Sequence, residues 1–323
     1  MPKPLHVLLL TLGLLCGLVV ARAQEQSKRI GLLGPSEEPR FSEVRDGLRQ
    51  GLREHGYAAP AIEILEARVP RRDPEQVRAV VEGLLQQRIR VLVVIGSELT
   101  KLAREVSAEL PIVYLTPGDP VAQGLAASLA RPGGHTTAMT FEYPELAGKR
   151  LELLQAVLPQ VRRVLLLYDP QDGSSRQAAV VAREAARKLG LTLVEREAHS
   201  RDDMVQGIEA LAEVEAFLAI PGGLPTRHYA EIIRAANARR VPTMFHVRTG
   251  STMEALVSYG ASEVEMARQL ARHVAKILLG VHAGDLPVER PMKLELVINL
   301  TIAEQIGVTI PSAVLMQADK VLQ

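Results

Sequence analysis

Short apolar runs alternate along this chain with longer segments whose apolar residues recur at helical spacing. Arg29–Gly34 (RIGLLG), Ala61–Leu65, Val91–Ile95 (VLVVI) and Pro111–Leu115 (PIVYL) are runs of five or six residues, the length and composition of buried strands. Between them, Phe41–His55 carries Val44, Leu48 and Leu52 on one face and stops at Gly56. Asp73-Pro74 supplies an N-cap and a first-turn proline for a helix along Val77, Val80, Val81 and Leu84, and a further helix is expected near Thr100–Ala108. A second series follows: helix Leu146–Leu158, strand Arg163–Tyr168 (RVLLLY), helix Arg176–Leu189 ended by Gly190, and strand Thr192–Glu195. Helix Asp202–Ala212, strand Ala216–Ile220, helix Tyr229–Arg239 and strand Pro242–Phe245 complete it.

Strands this continuous in Val, Ile and Leu are those of parallel sheets covered on both faces. Two β-α series of similar length therefore predict an α/β fold of two doubly wound parallel-sheet lobes. The last third adds a short strand-like run at Leu256–Tyr259 and a long helix, Ser262–Leu279. A Gly/Pro linker, Gly280–Pro291, leads to a strand at Leu294–Leu300 and a final helix, with Thr301 and Glu304 spaced as a capping box. One late addition to each lobe makes the chain cross between lobes more than once, which is a hinge. The expected division is residues 28–140 plus about 256–282 for the first lobe, and 141–255 plus about 283–323 for the second. Residues 132–140, with Gly133-Gly134, fit the first crossover.

Composition adds a compartment and removes some partners. The chain has 323 residues, 47% of them hydrophobic, enough for two cores. Six Tyr, four Phe and no Trp make an aromatic platform for single-stranded nucleic acid improbable, and a formal net charge of +1 without a basic stripe argues against any nucleic-acid partner. Residues 1–23 place Lys3 before an apolar run, Leu5–Val20, and end in Ala21-Arg22-Ala23. That is the pattern of a cleaved secretory signal peptide rather than a membrane span. Leu15 before Cys16 does not suit a lipoprotein box. Cleavage would take Lys3 and Arg22 from the 38 Lys+Arg, leaving 36 against 37 acidic residues, and would remove the single cysteine. A periplasmic or extracytoplasmic, monomeric protein without disulfides is expected.

In open α/β sheets ligands sit beyond the carboxyl ends of the strands, where helix N-termini point. Gly34-Pro35-Ser36-Glu37 follows the first strand, Gly96-Ser97-Glu98 the third, and Thr116-Pro117-Gly118-Asp119-Pro120 the fourth. In the second lobe Asp169 to Ser175 follows Tyr168, and Pro221-Gly222-Gly223 follows AFLAI. Ser36, Glu37, Ser97, Glu98, Thr116, Asp119, Tyr168, Asp169, Ser174, Ser175, Pro221 and Gly222 are thus the candidate ligand contacts. Hydroxyls and free N–H groups suit a carboxylate or other anion, and Asp119 or Asp169 an ammonium. Plainer roles compete. Ser97 and Thr116 also fit helix caps, Asp169 and Asp172 turn formers, and Tyr168 a polar-ended strand terminus.

Catalytic and cofactor motifs are missing from the sequence. It has no G-x-G-x-x-G, no G-x-x-x-x-G-K-[ST], no G-x-S-x-G and no H-E-x-x-H, and its His residues are dispersed, with His228 and His246 read as surface or loop-end positions. No catalytic residue, metal or cofactor is expected.

Three segments carry a family resemblance: 119–140 (DPVAQGLAASLARPGGHTTAMT), 145–170 (ELAGKRLELLQAVLPQVRRVLLLYDP) and 286–322. They resemble the exported substrate-binding proteins of ABC transporters of the tryptophan- and tyrosine-binding type, over essentially the whole chain after residue 23. The resemblance implies a type I periplasmic-binding-protein fold with three crossovers, a small ligand such as an amino acid or related carboxylate, and delivery to a membrane permease. A ligand-sensing module docking to a membrane receptor is the alternative use of that fold, and an α/β enzyme a third reading. The chain departs from the family pattern at cleft-edge positions. Pro221-Gly222-Gly223 stands where an Asp is common, Met253 to Val257 stands where Gly-Gly is common, and Pro35–Arg40 is not the form of the aromatic amino-acid binders.

Overall fold

The computed structural model describes residues 28–36, 41–70, 73–247 and 254–323. The expected leader, residues 1–23, and Glu37 lie outside the described residues. The first lobe is a five-stranded parallel sheet in the order β2-β1-β3-β4-β5, built from β1 (Lys28–Pro35), β2 (Ile62–Val69), β3 (Val91–Ile95), β4 (Ile112–Thr116) and β5 (Thr136–Thr140). Helices α1 (Phe41–Glu54), α2 (Pro74–Gln86) and α3 (Ser97–Val106) connect the strands. β3 and β4 are wholly buried, as their unbroken apolar runs require; β2, at the sheet edge, is only partly so. Asp73 caps α2, accepting from Gln76 N at 2.9 Å, with Pro74 at its first position.

The second lobe holds β6 (Arg163–Tyr168), β7 (Thr192–Glu197), β8 (Ala216–Leu218), β9 (Thr243–Phe245), β10 (Val257–Gly260), β11 (Glu295–Asn299) and β12 (Lys320–Leu322), in the order β12-β11-β10-β9-β8-β6-β7. Its helices are α4 (Ala147–Val157), α5 (Gly173–Leu189), α6 (Arg201–Glu209), α7 (Gly223–Arg227), α8 (Tyr229–Ala238), α9 (Glu263–Leu278), α10 (Leu300–Ile306) and α11 (Ser312–Leu315), of which α9 packs on the first lobe. β7-β6-β8-β9-β10 repeats the winding of β2-β1-β3-β4-β5. β11 runs antiparallel to β10, so the second sheet is not purely parallel.

Three expectations are corrected. Thr136–Thr140 is not an approach to a crossover but a fifth, fully buried strand. Two of its three hydroxyls bond within the protein: Thr137 Oγ1 donates to Leu286 O at 2.8 Å and Thr140 Oγ1 to Gly118 O at 3.0 Å, which helps a polar strand sit in a core. The segment assigned to the first lobe from about residue 256 divides differently: Val257–Gly260 pairs with β9 and β11 in the second sheet, and only the helix after it returns. Residues 283–289 lie against the first lobe, where Glu289 N donates to Ala138 O (3.0 Å) and Thr140 N to Glu289 O (2.9 Å). The last helix is capped by Asn299, accepting from Ile302 N at 3.1 Å, and not by Thr301, which lies inside it.

The chain crosses between lobes near residues 141–146, 261–262 and 290–294. α9 lies so close to α1 that a side chain at Gly47 or Gly51 would meet the carbonyl oxygens of Val264 and Arg268. Arg150 of α4 ties two crossings together, donating from Nη1 to Tyr143 O at 2.6 Å and from Nε to Tyr259 O at 2.7 Å. It is fully buried, and burial lowers its guanidinium to about 10, still charged at neutral pH.

Candidate functional site

Each sheet reverses its winding order between its first and third strands, and the carboxyl ends at these switch points face one another across the crossovers. A cavity of about 60 Å³ lies there. Gly96 at the end of β3 and Pro117 after β4 wall it from the first lobe, and Asp172, Pro221, Gly222 and Gly223 from the second. Phe141, Tyr143, His246 and Glu263 form its remaining side, on or beside the first two crossings.

Asp172 organises the second-lobe wall. Its Oδ1 accepts from Ser174 N at 2.9 Å and Ser175 N at 3.0 Å, capping α5, and its Oδ2 accepts from Gly223 N at 3.2 Å. One carboxylate therefore joins the end of β6 to the loop after β8. Gly222 has a φ of 152° and lies close to Ser175, where an added Cβ would stand 2.9 Å from its Oγ.

The aromatic side is a stack. Phe141 and Tyr143 lie face to face, centroids 4.8 Å apart, and Tyr143 meets His246 at 4.6 Å. Tyr229 approaches His246 edge-on at 5.6 Å and donates its hydroxyl to Ile220 O at 2.9 Å. Tyr143 donates to Glu263 Oε1 at 2.8 Å, a buried bond between the first two crossings. His246, expected at a surface or loop end, is buried.

The candidate residues divide. Pro221 and Gly222 line the cavity. Ser97 and Thr116 stand 2.9 Å apart beside it and both donate to Gln123 Oε1, at 2.7 and 2.9 Å. Gln123 Nε2 in turn reaches Ser174 Oγ at 3.5 Å, a link from the first lobe to the second. Ser175 is occupied within its own loop, its Oγ accepting from Asp169 N at 3.1 Å. Asp169 accepts from Gln171 N (2.8 Å) and Asp119 from Val121 N (2.8 Å), the turn-forming role in both cases. Tyr168 turns its hydroxyl to Glu197 (2.6 Å), where Arg183 also donates to it (3.2 Å). Glu98 is exposed in the first turn of α3, and Ser36 is an exposed turn residue outside the cavity wall. Missed altogether were Gln123, Phe141, Tyr143 and Glu263. The aromatic pair directly follows β5, so recognising that strand would have placed it at a strand end. Among the described residues no three or more His, Cys, Asp or Glu are grouped to hold a metal ion.

Two doubly wound lobes, joined by three crossings around a small polar and aromatic cavity, define a two-lobed ligand-binding protein. The family model for ABC transporter substrate binding proteins matches residues 29–322, and the chain belongs to that family. Its members bind solutes rather than turn them over, so this is not an enzyme. A curated relative, the Tyrosine-binding protein of Clostridioides difficile (strain R20291), is 21% identical over 276 residues, covering 85% of this chain and 79% of its own. Among solved structures, a conserved domain protein from Vibrio cholerae is 26% identical with a TM-score of 0.82, covering 92% of this chain and 100% of that one. The ABC domain in complex with L-Trp from Streptococcus pneumonia is 22% identical with a TM-score of 0.81 over the same shares.

Proposed function

We propose that this protein is exported through the leader at residues 1–23, captures a small polar ligand between its lobes, and delivers it to the permease of an ABC transporter. The ligand is an amino acid or a related carboxylate, in keeping with the tyrosine-binding relative and the L-Trp complex named above. The observation that carries this reading is the convergence of strand ends from both lobes on one cavity bounded by Gly96, Asp172 and Pro221–Gly223. The N-terminus of α3, which follows Gly96 on the cavity wall, receives an anionic end, and the Asp172 carboxylate a cationic one. Ser97, Thr116, Gln123 and Ser174 act beside the ligand, bracing the two lobes.

Thermal unfolding of the mature protein with amino acids, sugars, purines and short carboxylates tests this. A ligand at about 100 times its Kd adds about 2.7 kcal/mol of stability, so the true ligand raises the melting temperature in a concentration-dependent way. A flat response across all four classes would refute the reading.

A further inference from the structure

The side of the cleft nearest the crossings is filled by the protein's own rings. Phe141 N donates to Thr116 O (2.9 Å) and Tyr143 N to Pro117 O (3.0 Å), so both rings are tied to the edge of β4. Arg150 holds Tyr143 O from the second lobe, and His246 packs against the Tyr143 ring at 4.6 Å. Phe141 and Tyr143 belong to the first crossing, and His246 follows β9 of the second lobe. Between this wall and those of the two lobes about 60 Å³ is left. A dry cavity that takes one benzene ring measures about 150 Å³. An indole or phenol ring has no slot here, and enters only by forcing the lobes apart.

We infer that the cleft selects compact zwitterions, amino acids with side chains of glycine to serine size, over aromatic amino acids. The inference rests on the ligand-binding reading above and narrows it. Asp172 at one wall and the α3 N-terminus at the other suit the two charged ends of a short molecule, and the Phe141–Tyr143–His246 stack occupies the place a large side chain needs. Pro221-Gly222-Gly223 brings no side chain beyond a proline ring to the cavity.

Isothermal titration of the mature protein with glycine, L-alanine, L-serine, L-tryptophan and L-tyrosine decides it. A single methylene in a fitted pocket already discriminates by roughly 10- to 200-fold, so one of the three small amino acids is expected to bind at least about tenfold more tightly than either aromatic one. Phe141→Ala, which opens the stack, is expected to narrow that ratio; the wild-type ratio stands as the test should the variant not fold. Equal or tighter binding of tryptophan or tyrosine overturns the inference and leaves the ligand-binding reading intact. Binding only of a sugar, purine or simple carboxylate overturns the zwitterion assignment alone. Silence from every class overturns both.

Discussion

Replacing Asp172 by alanine and by asparagine separates the two structural roles of one carboxylate. Oδ1 caps α5 through Ser174 N and Ser175 N, and Oδ2 holds Gly223 N of the neighbouring loop. Loss of an N-cap costs about 1 kcal/mol, and a backbone N–H losing a charged acceptor roughly 1.5 kcal/mol at a partly buried site. Asp172→Ala loses both, about 2–3 kcal/mol in all. Asp172→Asn keeps an oxygen for the cap but offers Gly223 an N–H instead of an acceptor, so its cost is about 1–1.5 kcal/mol. Urea unfolding followed by circular dichroism reads both values against the wild type. Equal destabilisation by the two variants, or neither differing from wild type by more than about 0.5 kcal/mol, would contradict the geometry. Ligand affinity gives a second readout: both variants remove the charge, so both are expected to bind the ligand more weakly even where Asn preserves the fold.

Substitutions at four further positions probe the frame of the fold. Gly51→Ala sets a methyl group against the Arg268 carbonyl and 2.6 Å from Ala271 Cβ, so it should destabilise by about 1–3 kcal/mol despite its better helix propensity. Gly83→Ala on α2, where nothing lies within 4 Å, should stabilise by about 0.5–1 kcal/mol; both are read from denaturant midpoints, and Gly51→Ala matching the wild type would contradict the packing. Arg150→Ala strips the donors from Tyr143 O and Tyr259 O and should cost roughly 3–5 kcal/mol, with Arg150→Lys recovering only part because a single ammonium cannot reproduce the guanidinium fork. Burial holds the His273 imidazole below its ordinary 6.5, with Glu289 pulling upward and Arg272 and Lys276 pushing downward. The unfolded chain therefore binds the proton first, and stability present above pH 6.5 is lost as pH falls from there through the lowered folded value. His273→Gln should flatten the urea midpoint over that window, and an unchanged slope would exclude the residue as a contributor.

The winding of both lobes was legible because parallel strands buried on two faces are written as unbroken apolar runs, as in VLVVI and RVLLLY. β5 was not, because TTAMT hides the polarity of Thr137 and Thr140 in bonds to Leu286 O and Gly118 O, partners that only the tertiary fold supplies. The missed strand concealed Phe141 and Tyr143 behind it. Pro221 and Gly222, named from a strand end, line the cavity, but a residue's place at a strand end does not say where its side chain turns. The Tyr168 hydroxyl bonds Glu197, and Asp169 accepts from Gln171 N in its own turn, partners a strand-end position does not reveal. His246 and Glu263 join the wall from distant segments, through contacts no local pattern encodes.

Native mass spectrometry of the mature protein, purified without denaturation and without added ligand, tests the central claim most directly. A fraction of molecules is expected to carry one small adduct, of the mass of a compact amino acid, that is lost on unfolding and displaced by excess of the same compound. Bare protein alone, together with no adduct on incubation with any of the four ligand classes, would contradict the claim that this cleft binds a small molecule.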